Sequence, residues 1–254
     1  MRIKIINPNT TLSMTEKIGA CARSVAQPGT TIIAVSPAMG PVSIESHYDE
    51  ALAVPGLLQE IAKGEIEGVD GYVIACFGDP GLQAARELAC GPVVGIAQAA
   101  MHMASLVGSR FSVVTTLGRT MGQAWHLAEM YGMKRFCANV RACEIAVLEL
   151  EEPGSNARER IVEECRRALD EDGADTIVLG CAGMADLCDH ISGVLGVPVI
   201  DGVAAGTKLI ESMVGMRLAT SKHGELAHPL PKPMTGLLAD FTLPHKRAKL
   251  QRAA

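Results

Sequence analysis

The second half of this sequence repeats the first, and this repeat limits the possible folds more than any other feature. The matching stretches are offset by 108, 105 and 106 residues, so a domain-sized unit is repeated rather than a short solenoid motif. These stretches are Ile5–Thr10 with Val113–Gly118, the strand that leads to Cys76 with the strand that leads to Cys181, and Gly91–Ala97 with Val197–Val203. The chain therefore folds either as two similar lobes or as one closed ring of repeated units.

Apolar runs that predict strands alternate with amphipathic stretches of helical period along the chain. The predicted strands are Arg2–Ile6, Thr31–Val35, Gly71–Ala75, Val93–Ile96, Phe111–Thr115, Arg141–Val147, Thr176–Leu179 and Pro198–Ile200. The predicted helices are Thr11–Ala26, Asp49–Lys63, Pro80–Leu88, Gln98–Val107, Arg119–Tyr131, Ala157–Asp172, Met184–Val194 and Val203–Met216. Strands that are apolar along their length are typical of parallel sheets covered by helices on both faces. Such strand–helix pairs could close into one barrel, but two equal halves favour two lobes.

We expect an α/β fold of two similar Rossmann-like lobes, each a doubly wound parallel sheet, with a cleft between them. A chain of 254 residues, of which 48% are hydrophobic, is long enough for two such cores. The predicted lobes span residues 1–108 and 109–206. The C-terminal segment, from about residue 207 to residue 254, is expected to pack back on the first lobe.

Several classes of function lack their usual sequence signals. A net charge of −5 disfavours nucleic acid as a partner, and the basic stretch His245–Arg252 is expected to be a solvated tail. The longest apolar stretch, Val93–Gly108, is short and contains Gln98 and His102, so no membrane segment is predicted. The N-terminus does not resemble a signal peptide, and a cytoplasmic location is expected. Dinucleotide, P-loop, serine-hydrolase and zinc-protease motifs do not occur, so neither a cofactor nor a metal is expected.

The cysteines divide into two groups. None of the eight has C-x-x-C spacing, so neither a disulfide framework nor a zinc site is predicted. Cys76 and Cys181 each follow an apolar strand, at the strand end where open α/β sheets place their chemistry. They are either small buried apolar side chains or two thiols that face a substrate from opposite sides, and their equivalent places in the repeat favour the second interpretation. The others are interpreted as filler of the core or surface: Cys21, Cys90, Cys137, Cys143, Cys165 and Cys188.

The turns that follow the two cysteines have the composition of helix starts. Asp79 and Pro80 suit the N-cap and the first position of a helix, and Ala182 and Gly183 precede another predicted helix. Backbone N–H groups and a positive helix end near each sulfur stabilise a thiolate, so we expect the pKa of both thiols to be lowered. The same N–H groups could hold an enolate oxygen.

Polar residues after other predicted strands are further candidates for the site. Asn9 could cap the next helix or point its carboxamide into the cleft. Thr115 and Thr116 could bind a substrate oxygen or cap the helix that follows them. Ser43 and His47 belong to a polar loop, where His47 is either a base or substrate contact or an ordinary polar residue near a helix start.

Several motifs together resemble those of the hydantoin and allantoin racemases in the aspartate/glutamate racemase superfamily. They are I-N-P-N-T from Ile6, V-I-A-C-F-G-D-P-G-L from Val73, R-F-S-V-V-T-T from Arg110, I-V-L-G-C-A-G-M from Ile177, P-V-I-D-G-V from Pro198 and A-T-S-K from Ala219. The similarity extends over nearly the whole chain, to about Gly236.

The resemblance implies two Rossmann-like lobes with the active site in the cleft between them. It also implies racemisation without a cofactor, in which Cys76 and Cys181 are the two acid/base groups, and a homo-oligomeric assembly. Carried over by position, the turns that hold the substrate are Asn9, Phe77, Gly78, Thr115, Thr116, Ala182 and Gly183.

The substrate implied by the resemblance is a 5-substituted hydantoin. With only 3% aromatic residues an aromatic-lined pocket is not expected, and this, with His223–Glu225 after the A-T-S-K motif, favours the polar ureido group of allantoin and a role in purine catabolism. Other 5-substituted hydantoins remain an alternative. An aspartate or glutamate racemase or a maleate isomerase is a weaker one, because the candidate loops contain no arginine for a carboxylate. A two-lobed small-molecule-binding protein would need no chemistry from its thiols.

Overall fold

The computed structural model describes residues 1–152 and 154–243. Its strands are β1 Arg2–Ile6, β2 Thr31–Val35, β3 Gly71–Ile74, β4 Val93–Gly95, β5 Phe111–Thr115, β6 Cys137–Ala142, β7 Thr176–Leu179 and β8 Val199–Ile200. Its α-helices are α1 Leu12–Val25, α2 His47–Glu67, α3 Leu82–Leu88, α4 Ile96–Val107, α5 Met121–Met130, α6 Ala157–Asp172, α7 Cys188–Leu195 and α8 Gly202–Gly215. Short 3₁₀ helices span Gly118–Thr120, Val147–Glu151, Ala182–Leu187, Gly224–Leu226 and Gly236–Phe241.

The strands form two parallel four-stranded sheets with the same internal order. The first sheet runs β2-β1-β3-β4 and the second runs β6-β5-β7-β8. Every strand pair is parallel, and helices connect the strands. The expected α/β fold of two similar lobes is therefore confirmed, and the repeat in the sequence corresponds to a repeat in topology.

The register of the central strands brings particular turns together. In the first sheet Ile6 pairs with Ile74, so the chain after β1 lies beside the chain after β3. In the second sheet Val114 pairs with Leu179, so the chain after β5 lies beside the chain after β7. Because all strands of a parallel sheet end at one edge, each lobe presents two neighbouring turns there.

The C-terminal helix α8 crosses from the second sheet to the first. It follows β8 in sequence but packs on β3 and β4, where a Cβ added to Gly206 would lie 2.9 Å from Val73. Beyond α8, Thr220 N–H donates to the Cys90 carbonyl at 3.3 Å, so the chain stays against the first sheet. The lobe limits at residues 108 and 206 stay a prediction, and the end of the tail, residues 244–254, lies outside the described residues.

Strand β6 differs most from its prediction. It spans Cys137–Ala142 rather than Arg141–Val147. It is an edge strand, and its Asn139 and Arg141 side chains bond to Asp172. Because these polar residues interrupt the apolar pattern expected of a strand, the sequence does not predict β6 at this position. Glu144 has a φ of 54°, so regular strand geometry ends before the apolar residues that suggested a strand.

Two predicted helix starts also differ from the structure. The predicted helix Met184–Val194 is a 3₁₀ helix, Ala182–Leu187, followed by α7. Small residues at this point tolerate the tight winding of a 3₁₀ turn. The helix predicted from Pro80 begins at Leu82, because Gly81 has a φ of 66° and separates it from the preceding turn.

Substitution of Gly206 by valine tests the packing of α8 on the first sheet. The new side chain would press on Val73 and Val94, and we expect a loss of about 1–3 kcal/mol in the free energy of unfolding, measured by urea denaturation. Gly215→Ala in the same helix is the matched control, because nothing lies within 4 Å of its added Cβ. Equal stability of Gly206→Val and the parent would contradict this packing.

Candidate active site

A cavity lies where the carboxyl ends of the two sheets meet, with about 590 Å³ of empty space including its open mouth. The turns after β1, β3, β5 and β7, two from each sheet, form part of its wall. The lining residues are Asn9, Met14, Ile44, Glu50, Ala75, Cys76, Phe77, Gly78, Thr115, Thr116, Thr120, Gln123, Ala124, Val147, Gly180, Cys181 and Ala182. The structure thus brings together both cysteines and six of the other predicted site residues.

Cys76 and Cys181 occupy the same kind of turn, one in each lobe. The Cys76 carbonyl accepts from Asp79 N–H at 3.0 Å, and the Cys181 carbonyl accepts from Met184 N–H at 3.1 Å. Each sulfur accepts a backbone N–H from two residues further on: Cys181 Sγ from Gly183 at 3.4 Å, and Cys76 Sγ from Gly78. The repeat therefore presents two thiols in equivalent geometry to one cavity.

Burial sets the acidity of both thiols. It raises the pKa of Cys181 to about 11, against the smaller lowering effects of Gly183 N–H and the Lys17 ammonium. Burial raises the pKa of Cys76 as well, and the nearby Glu50 carboxylate and Cys181 add to the increase. The expected lowering of these pKa values is wrong, because one N–H bond per sulfur does not compensate for the loss of solvent. Helix α3 begins only at Leu82, too far along the chain to place its N-terminus at Cys76.

Asp79 does not cap the helix that follows it. Its backbone has a φ of 45°, and its carboxylate accepts from Ala97 N–H at 3.0 Å and Gln98 N–H at 2.9 Å, so it caps α4 instead. It also accepts from the hydroxyl of Tyr131, in the second lobe, at 2.7 Å. A Cβ on Gly95 would collide with this carboxylate. Burial raises the pKa of Asp79 to about 6, and the bonds fix the turn that carries Cys76.

Asn9 both lines the cavity and holds the start of a helix. Its Oδ1 accepts from Asn7 Nδ2 at 2.8 Å and from Thr11 N–H at 2.9 Å, at the N-cap position of α1. Its Nδ2 lies 3.3 Å from Met14 Sδ. The two functions suggested by the sequence are therefore compatible in one side chain.

Thr115 and Thr116 lie beside the Cys181 turn. Thr115 Oγ1 donates to the Gly180 carbonyl at 3.2 Å, and Gly180 has no room for a Cβ because Thr115 is 2.8 Å away. The N-cap of α5 is Thr120, and Thr115 Oγ1 lies within hydrogen-bond distance of the Thr120 hydroxyl, at 3.2 Å. Thr115 and Thr116 are therefore not the N-cap themselves, and both line the cavity.

Three predicted residues lie outside the cavity wall. His47 opens α2 rather than a loop, and its side chain is 78% exposed with Nδ1 at 3.5 Å from Glu50. Ser43 does not line the cavity either. Gly183 does not line the cavity, but its backbone N–H donates to the sulfur of Cys181, which does.

Glu50 and Gln123 line the cavity although no sequence pattern distinguishes them from other polar helix residues. They belong to amphipathic helices α2 and α5, where a polar residue ordinarily faces solvent. Ile44 and Val147 add apolar walls from loops whose course depends on tertiary packing.

The lining residues within the described chain include no lysine, arginine or histidine, and no cluster of potential metal ligands occurs there. Nor does any described helix combine the length and apolarity needed to cross a membrane.

Comparison with known proteins places this fold and cavity in a family. The model of the Asp/Glu/Hydantoin racemase family matches residues 3–210. The chain belongs to this family. It is thus an isomerase of the racemase class, and the cavity at the sheet edges is its candidate active site.

Similar members of the racemase family cover almost the whole chain. A hydantoin racemase of Pseudomonas sp. (strain NS671) is 50% identical over 241 residues, which cover 95% of this chain and 97% of that protein. The structure of an allantoin racemase from Klebsiella pneumoniae has a TM-score of 0.94 at 55% identity, covering 95% of this chain and 99% of its own. An allantoin racemase from Pseudomonas fluorescens has a TM-score of 0.87 at 40% identity and covers 93% of this chain and 100% of its own.

Alkylation with iodoacetamide tests the raised thiol pKa values in this racemase. Because the thiolate reacts, the rate at Cys181 should rise about tenfold per pH unit from about pH 7 to about pH 10 without a plateau. Peptide mass spectrometry reports the rate at each cysteine. N-acetylcysteinamide is the control, and its rate should level off near the ordinary cysteine pKa of roughly 8.5. A plateau at Cys181 near or below that pH would contradict the effect of burial.

Proposed function

We propose that this racemase inverts C5 of a 5-substituted hydantoin, with allantoin as the preferred substrate and without a cofactor. The observation that carries the proposal is the pair of thiols, Cys76 and Cys181, in equivalent turns at one cavity. A carbon held between them would have one sulfur at each face, which is the arrangement that proton removal and return require.

The chemistry follows from the acidity of C5 in a hydantoin ring. Loss of the C5 proton places negative charge on the C4 carbonyl oxygen. One cysteine, as thiolate, takes the proton, and the other, as thiol, donates a proton to the opposite face; the two exchange roles for the other enantiomer. General acid/base groups of this kind contribute roughly a hundredfold to ten-thousandfold each.

The burial of the thiols suits the donating role, because a raised pKa keeps that thiol protonated at neutral pH. It also makes the thiolate of the partner a strong base, although that thiolate is only a minor species at neutral pH. Thr116 and Asn9 supply polar groups on the cavity wall that could support the enolate oxygen.

The charge of the cavity supports a neutral substrate. A free carboxylate, as in aspartate, glutamate or maleate, needs a cationic partner, and the described cavity wall has none. A neutral hydantoin ring needs only hydrogen-bond donors and acceptors. The similarity to solved allantoin racemases supports a ureido group at C5.

A second candidate substrate is a hydantoin with an apolar group at C5. Met14, Ile44 and Val147 form an apolar part of the wall that could accept such a group. The 50% identity to a protein named as a hydantoin racemase favours it further. The expected homo-oligomeric state, cytoplasmic location and place in purine catabolism stay predictions.

Polarimetry of (S)-allantoin, 5-benzylhydantoin and L-aspartate tests the proposal. The parent protein should racemise allantoin fastest and leave L-aspartate unchanged. Cys76→Ser and Cys181→Ser should each lose at least roughly a hundredfold in rate, because serine is a far weaker acid/base group here. Cys21→Ser is the matched control, since serine can keep the bond from this position to Asp201 outside the cavity. Racemisation at the parental rate by both variants would refute the two-thiol mechanism and leave the thiols with no role in proton transfer.

A further inference from the structure

Glu50 and Gln123 form a pair that connects the two lobes inside the cavity. Glu50 lies on α2 of the first lobe and Gln123 on α5 of the second, and both line the cavity. Gln123 Nε2 donates to Glu50 Oε1. Neither residue is one of the two acid/base groups of the proposed mechanism, so the position of this pair needs a separate explanation.

The pair lies directly against the turn that carries one of the thiols. A Cβ added to Gly78 would collide with Glu50 Oε1 and with Gln123 Nε2, so both side-chain ends touch this glycine. Gly78 N–H is the donor to the sulfur of Cys76, whose pKa the Glu50 carboxylate helps to raise. A group attached to a carbon beside Cys76 would therefore lie within reach of the pair.

Among the described residues that line the cavity, Glu50 is the one with a charged side chain. Its side chain is only 16% exposed, and burial raises its pKa, while the bonds from Gln123 and His47 lower it. The His47 ring is largely in solvent, outside the cavity. A carboxylate oxygen can accept more than one hydrogen bond, so Glu50 keeps acceptor capacity for a ligand.

We propose that Glu50 is the specificity-determining residue of this racemase, positioned by Gln123. Its carboxylate accepts N–H groups from the substituent at C5, which selects the ureido group of allantoin. It disfavours an apolar substituent of the same size, which offers no donor, and it repels an anionic one. This inference rests on the proposed function, because it presupposes a hydantoin in the cavity.

The discrimination has a physical basis in the cost of unpaired buried groups. A half-buried carboxylate that loses water on substrate binding must gain donors in exchange, or its desolvation weakens binding. A site built to bond a substrate N–H rejects analogues that lack it far more strongly than an apolar pocket rejects one extra methyl group. The effect acts on both ground and transition states, so it should be measured as kcat/KM.

Three hydantoins whose C5 groups have the same number of heavy atoms test this role: allantoin, 5-isobutylhydantoin and hydantoin-5-acetate. The parent should prefer them in that order. Glu50→Gln keeps the size of the side chain and an acceptor for Gln123, but removes the charge. We expect this variant to reduce the preference for allantoin over 5-isobutylhydantoin by about tenfold or more. It should also raise kcat/KM for hydantoin-5-acetate, a gain that a misfolded variant would not show.

Glu45→Gln is the matched control. Glu45 also connects the lobes, accepting from Val147 N–H at 2.8 Å, but it does not line the cavity. Its replacement should leave the ratios between the three substrates unchanged. If Glu50→Gln lowers all three rates by one factor, or leaves the ratios unchanged, the specificity role is refuted while the proposed function stands. If the parent racemises none of the three hydantoins, the proposed function itself fails, and this inference fails with it.

Discussion

The parallel pairing of β1 with β3, and of β5 with β7, is the constraint on which the site depends. Parallel strands end at one edge of a sheet, so each lobe carries its turns side by side at that edge. Duplication then supplies a second edge of the same form, and the two edges share a cavity. The positions of Cys76 and Cys181 at this cavity follow from the arrangement, since each cysteine follows an inner strand of its own sheet.

The site shows that burial dominates over local electrostatics at these strand ends. Burial raises the pKa of Cys76, Cys181, Asp79 and Glu50 alike, despite backbone donors at each sulfur and at Asp79. For the thiols this keeps the acid protonated and makes the thiolate a strong base that is a minor species at neutral pH. The buried Asp79 carboxylate accepts hydrogen bonds that hold the Cys76 turn against α4 and against Tyr131 of the second lobe.

Sequence patterns predict features of this protein that are local or repeated. The strand runs, the two-lobed fold and the positions of both cysteines at the cavity follow from periodicity and from the internal repeat. Asp79 shows where this reasoning fails. Asp-Pro matches a local helix cap, but in the fold the Asp79 carboxylate accepts backbone N–H groups at the start of α4 instead. Glu50 and Gln123 resemble ordinary polar residues of amphipathic helices, and only tertiary packing brings them into the site.

Hydrogen exchange at C5 of the two allantoin enantiomers in deuterium oxide, followed by NMR with each single-cysteine variant, tests the central claim most directly. If the two thiols act on opposite faces of one carbon, Cys76→Ser should exchange the C5 hydrogen of one enantiomer without inverting it. Cys181→Ser should do the same for the other enantiomer only. Exchange of both enantiomers by one variant, or of the same enantiomer by both, would contradict a mechanism with one sulfur at each face.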